Sequence, residues 1–239
     1  MKLSLSTKAI LNSILSLGIS WIFTSSPGYP TSVDSLEQAI NRQDILKRME
    51  RVMGPLPGKN MRARLDVQVS EEVDAGTYIR KKLTYQSAPG ERVNAYLLIP
   101  KTHEHPLPAI LCLHQTTDQT IRETIGLAGR PNMHYGSELA ERGFVVVAPE
   151  YPMLGDHQIQ IPSDRWASGS MKAIWDNMGA IDLLQSMHEV DPNRIGAIGH
   201  SLGGHNALFT AAFDPRIKCV VTSCGFTAFA RYYGGNLKG

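Results

Sequence analysis

Apolar residues at Leu36, Ile40, Ile45, Leu46, Met49 and Val52 recur at helical spacing among charged ones, and Gly54-Pro55-Leu56-Pro57-Gly58 ends the pattern. An amphipathic helix over residues 34–53 is predicted, with packing as its role. The period then shortens to that of strands. Residues 65–69, 78–85 and 93–99 read as strands, with Asp74-Ala75-Gly76 and Ala88-Pro89-Gly90-Glu91 as turns between them. Connections this short imply antiparallel neighbours. From residue 108 the pattern changes again: Pro108-Ala109-Ile110-Leu111-Cys112-Leu113 is an unbroken apolar run ending in His114-Gln115-Thr116-Thr117, and a long polar loop follows to about Tyr135. A helix over 136–142, a buried strand over 144–149, a loop, a helix over 171–188, a strand over 194–199, a helix over 201–213 and a strand over 217–222 complete the reading. Strands that alternate with helices pair in parallel and have both faces covered. The expected fold is therefore α/β: one twisted sheet over residues 65–222, antiparallel at its start, parallel from residue 109 onward, with helices on both faces.

The N-terminus has a different character. Lys2 and Lys8 precede an apolar stretch over residues 9–23, and Thr24-Ser25-Ser26-Pro27-Gly28 follows as a small, turn-forming patch. Residues 1–26 thus read as a secretory signal, which places the mature chain in the periplasm or outside the cell. The apolar run is shorter than the ~20 residues that a bilayer span needs. Trp21 and the lack of an A-x-A site leave an uncleaved anchor as the alternative; with the signal cleaved, no stable membrane span is expected. Residues 34–239 make up the domain, and 239 residues with 42% hydrophobic content suit one sizeable domain better than two. The formal charge of +2 is spread without a basic block, which argues against nucleic acid or an anionic surface as partner and favours small, roughly neutral substrates. Cys112, Cys219 and Cys224 lie in or beside apolar strand-like runs, with neither CxxC nor a Cys/His ligand spacing, so packed thiols and no metal or cofactor are expected. No feature sets an oligomeric state.

The chemistry centres on Gly196-Ala197-Ile198-Gly199-His200-Ser201-Leu202-Gly203-Gly204-His205-Asn206, where a buried strand runs straight into a helix with a serine at the junction. In Gly199-x-Ser201-x-Gly203 the glycines leave room for a sharp turn that holds Ser201 exposed at the strand's carboxyl end. There the first helical N–H groups and the positive end of the helix dipole face any oxyanion that forms, and the N–H of Leu202 is the natural donor.

These residues, with Met53-Gly54-Pro55-Leu56-Pro57 before the sheet and Leu113-His114-Gln115-Thr116 after its first long apolar strand, resemble the α/β-hydrolases. In particular they resemble a bacterial group related to acetylxylan esterases and dienelactone-hydrolase-like proteins. The resemblance covers residues 53–238. It implies that Ser201 is the nucleophile of an ester hydrolase acting on a small-molecule or carbohydrate ester, and that a second oxyanion donor is the backbone N–H of Gln115 or Thr116. His114 is then a brace for its loop rather than the base. His200 and His205 take packing roles, and Asp156 and His157 either line the substrate pocket or form a solvated pair.

A serine hydrolase of this fold needs its serine, then an acid, then a histidine, in that order along the chain. After Ser201 this sequence offers one carboxylate, Asp214, which with Pro215 reads as a helix stop, and one histidine, His205. The last strands of the expected sheet are missing along with two triad members. Truncation of a longer parent is the favoured explanation, beside a natural remnant and a site rewired to use His157 or His205 as base. Two other functions compete with the esterase: a non-catalytic remnant or binding protein of the same fold, and a peptidase of the prolyl-oligopeptidase type. For the latter, residues 24–105 are too few to form the usual propeller.

Overall fold

The computed structural model describes residues 42–101, 105–156, 161 and 165–227. The chain divides into two compact units, Met1–Arg48 and Met49–Gly239, and the sheet and the site belong to the second. The proposed signal segment lies outside the described residues. Helix α1 (Arg42–Met53) is followed by strands β1 (Gln68–Asp74), β2 (Tyr78–Ala88), β3 (Glu91–Pro100) and β4 (Leu107–Leu113). Next come a short α2 (Ile121–Thr124), α3 (Tyr135–Glu141), β5 (Val145–Pro149), α4 (Gly169–Ser186), β6 (Val190–His200), α5 (Leu202–Phe213) and β7 (Ile217–Ser223). They build a seven-stranded sheet in the order β1-β2-β3-β5-β4-β6-β7. The pairs β1/β2, β2/β3 and β3/β5 are antiparallel, and β5/β4, β4/β6 and β6/β7 are parallel. The expected change of direction is present.

Alternate side chains of the central strands go to opposite cores, as the two-residue period of a strand requires. Val145 and Val147, with Leu111 and Leu97, pack with Ile181 and Leu184 of α4 and Ala207 of α5. Val146 and Ala148, with Cys112 and Leu98, pack on the other face with Ile121 beside Ile125, and with Ala140 of α3. Both faces being dry explains why β4 and β5 read as continuous apolar runs.

β1 departs from the expected strand over 65–69. Leu65 does contribute apolar packing, and its carbonyl accepts the Gln86 N–H, but the regular ladder runs further on, through Glu71 opposite Lys82 and Glu72 opposite Lys81. As an exposed edge strand, β1 has no core face to impose alternation on the sequence. The Lys81–Glu72 contact at 3.1 Å is solvent-exposed on the glutamate side. Glu72→Ala is accordingly expected to change the unfolding free energy in urea by less than about 1 kcal/mol.

The polar loop expected between residues 114 and 135 also differs: it contains α2, and Thr120, Glu123 and Thr124 are buried. Helix α4 buries Lys172 and Asp176, paired across one turn at 2.5 Å. Lys172 also meets Glu91 at 3.2 Å, and the Trp166 indole N–H donates to the same carboxylate. Together they tie the β2–β3 turn to the start of α4. Of the three cysteines only Cys112 is buried; Cys219 and Cys224 are exposed free thiols, because β7 is the outermost strand among the described residues and has a largely exposed face.

Candidate active site

β6 delivers its last residue, His200, to the carboxyl edge of the sheet, and the chain turns at Ser201 with φ 52° and ψ −116° before α5 begins. A positive φ is uncommon for a side-chain-bearing residue, and here surrounding contacts enforce it. The Ser201 N–H donates to the Ser223 carbonyl at 2.7 Å, and the Ser201 carbonyl accepts the His205 N–H at 3.0 Å. A Cβ on Gly199 would lie 2.2 Å from the Gly203 backbone, and one on Gly203 would lie 1.9 Å from the Leu113 carbonyl oxygen. Both glycines are therefore required by space. The serine side chain makes no capping bond to α5. The first N–H groups of that helix, beginning with Leu202, have no intrahelical acceptors and point toward the exposed serine.

The turn after β4 is brought to the same edge, since Leu113 pairs with Gly199 across β4/β6. Neighbouring strands are about 5 Å apart, so the backbone of Gln115 and Thr116 stands beside the elbow. Gln115 is buried, its amide donating to Glu123, whereas Thr116 is exposed. Sequence reasoning did not pick out Glu123. Its carboxylate also accepts the Arg130 N–H at 2.9 Å, and these bonds hold its pKa below the usual range despite burial.

His114 occupies the bracing position implied for it. Its Nε2 lies 2.9 Å from the Tyr151 N–H and must accept from it, which leaves Nδ1 to donate to the Gln115 carbonyl at 2.8 Å. Burial pushes its pKa down to about 4, so the ring is neutral and joins the loops after β4 and β5. A depressed histidine pKa contributes stability that is present above the unfolded pKa of about 6.5 and is lost as pH falls toward 4. We expect about 2 kcal/mol of stability to be lost between pH 7 and pH 5 through this group, a difference that urea titrations of wild type and His114→Gln should resolve.

The other candidates are engaged elsewhere. His200 Nδ1 lies 2.9 Å from Ser223 Oγ, and the His205 ring lies 3.9 Å from that of Phe209. Burial lowers the His205 pKa. Asp214 is buried and gripped by Arg216 through bonds of 2.8 and 2.6 Å, which makes it the anchor of the α5–β7 turn. Asp156 is exposed and lines a cavity with Glu150 beyond β5; His157 lies outside the described residues. Glu150, unremarked in the sequence, is buried and accepts the Thr120 hydroxyl at 2.8 Å, with its pKa raised by burial. Among the described residues no cluster of three or more His, Cys, Asp or Glu is arranged to hold a metal ion.

YtaP of Bacillus subtilis (strain 168), named as a hydrolase, is 32% identical over 196 residues, or 77% of this chain and 64% of its own. Among solved structures, BF1801 of Bacteroides fragilis NCTC 9343, named as an acetyl xylan esterase, superposes with a TM-score of 0.64 at 16% identity, covering 82% of this chain and 61% of that one. A glucuronoyl esterase from Solibacter usitatus does so with a TM-score of 0.57 at 18% identity, covering 82% and 60%. The shared architecture is the α/β-hydrolase fold, and the chain spans about three fifths of the length of these proteins. Residues 93–233, from the third strand through the elbow and past β7, match the Dienelactone hydrolase family, and it is to this family that the chain belongs.

Proposed function

We propose that the protein is a serine carboxylic ester hydrolase for small-molecule or carbohydrate esters, working through an acyl-enzyme on Ser201. The observation that carries this reading is the backbone of Ser201, held at φ 52° between two glycines that admit no side chain. Ser201 Oγ attacks the ester carbonyl as its proton passes to a histidine. The oxyanion of the tetrahedral intermediate is held by the N–H of Leu202 and by that of Gln115 or Thr116. The intermediate then collapses with loss of the alcohol, and water, deprotonated by the same histidine, releases the acid and restores the serine.

We assign the histidine and its acid to chain beyond residue 239. Supporting this is the engagement of His200, His205 and Asp214 in other contacts. Residues 1–26 act in this reading as an export signal, and the site of action is the periplasm or the exterior. No helix among the described residues is long and apolar enough to cross a membrane. The engaged histidines also favour a second reading, a non-catalytic protein that retains the elbow. Turnover of p-nitrophenyl acetate against an anilide analogue by the extended protein separates esterase from peptidase. Covalent capture of Ser201 by a fluorophosphonate, located by peptide mass spectrometry, separates either from the non-catalytic reading.

A further inference from the structure

A cavity of about 290 Å³ opens at the carboxyl end of β5, lined by residues of β1, β2 and β3 and of the loops after β4 and β5, and Ser201 is not among them. In the strand order two steps separate β5 from β6, which puts about 10 Å of sheet between the two positions. Its volume is near the lower end of the roughly 300–1,000 Å³ in which small ligands are bound, large enough for a single ring. Its floor is built from buried or half-buried groups: the Asn94 amide and the Glu150 carboxyl, 3.5 Å apart, with Thr120 bonded to the other carboxyl oxygen. Tyr96, Ile121 and Leu127 supply apolar wall. The rim carries Lys82 and Arg122 against the carboxylates of Glu71, Asp118 and Asp156.

This mixture selects by elimination. An anion would face the rim carboxylates and Glu150, and a polycation would face the lysine and the guanidinium; either pays like-charge repulsion. A neutral molecule dense in hydroxyls avoids both penalties, because each hydroxyl donates to a carboxylate and accepts from an amide, ammonium or guanidinium group. Its C–H faces match the Tyr96 and Leu127 wall. Thr120 is held at φ 44°, a conformation costly for a β-branched residue, and its hydroxyl is thereby aimed at Glu150.

We infer that this cavity is a non-covalent binding site for a neutral sugar ring, separate from Ser201 and independent of whether Ser201 hydrolyses esters. Titration of the isotope-labelled 239-residue chain with methyl β-D-xylopyranoside and methyl α-D-glucopyranoside, followed by amide chemical shifts, tests it. At least one glycoside should bind saturably in the millimolar range and move the Asn94 side-chain resonances. Asn94→Ala should weaken it by about tenfold, the loss of one well-placed hydrogen bond. Arg122→Ala, at an exposed position that leaves the core intact, should weaken it too, and Ser201→Ala should leave it unchanged. Ester turnover does not enter the readout, so failure of the sugar site and failure of the hydrolase reading are told apart. The inference is overturned if neither glycoside saturates, if both Asn94→Ala and Arg122→Ala bind as wild type does, or if inorganic phosphate or putrescine binds more tightly than either sugar.

Discussion

Ser201→Ala, made in a protein extended beyond residue 239 through a further acid and histidine, is expected to lower kcat/KM for p-nitrophenyl acetate by about 10⁴- to 10⁶-fold. In the proposed mechanism the serine oxygen is the atom that bonds to the acyl carbon, so its removal would eliminate the covalent route and leave only the proposed oxyanion donors and binding. The 239-residue chain should itself behave like that variant. A serine hydroxyl without a base keeps its proton at neutral pH and is a poor nucleophile. Among the described residues His114 is neutral but spends its lone pair on the Tyr151 N–H, and His205 is packed against Phe209. Steady-state kinetics on the four proteins, short and extended, wild type and variant, checks all of this. Turnover by the short chain on the order of 1 to 10³ per second, abolished by His205→Ala or His157→Ala, would instead place the base on α5 or in the loop after β5.

Gly203→Ala should be among the most destabilising single methyl additions in the protein, costing about 4 kcal/mol or more in urea unfolding. The added carbon would lie 1.9 Å from the Leu113 carbonyl oxygen and 2.8 Å from that of His114. Both obstacles are backbone, so no side chain can swing aside. The Leu113 carbonyl is itself fixed, accepting the Tyr135 hydroxyl at 2.6 Å. Relief requires α5 to move off the end of β4, which would also carry the Leu202 N–H away from Ser201. Gly143→Ala offers the contrast, since nothing lies within 4 Å of a Cβ there and the strain comes from its φ of +89° alone. Its cost should stay near 1–2 kcal/mol.

Much of this was written in local pattern. The parallel half of the sheet is recognisable because β4 and β5 are buried on both faces and so are apolar at every position, and the elbow because Gly199, Ser201 and Gly203 must be those residue types for the turn to close. β1 differs from the strand expected over 65–69 because an edge strand in water carries no alternation; its glutamates answer lysines on β2, a relation between distant residues rather than a period. The loop between β4 and α3 looked solvated because its composition is polar. Yet Glu123 is buried where Gln115, Thr117 and the Arg130 N–H converge on it, and no local rule reveals that convergence.

The same division runs through the site. Periodicity and glycine spacing, which depend only on near neighbours along the chain, sufficed to place Ser201 at the mouth of a strand-to-helix turn with the Leu202 N–H beside it. The fates of the other polar candidates depended on what long-range packing set against them: His114 became a neutral strut between two loops, Asp214 became the partner of Arg216, and Glu150, silent in the sequence, became the floor of a cavity. A side chain's ability to act is set by its desolvation and its partners, and those are fixed only when strands far apart in sequence lie side by side.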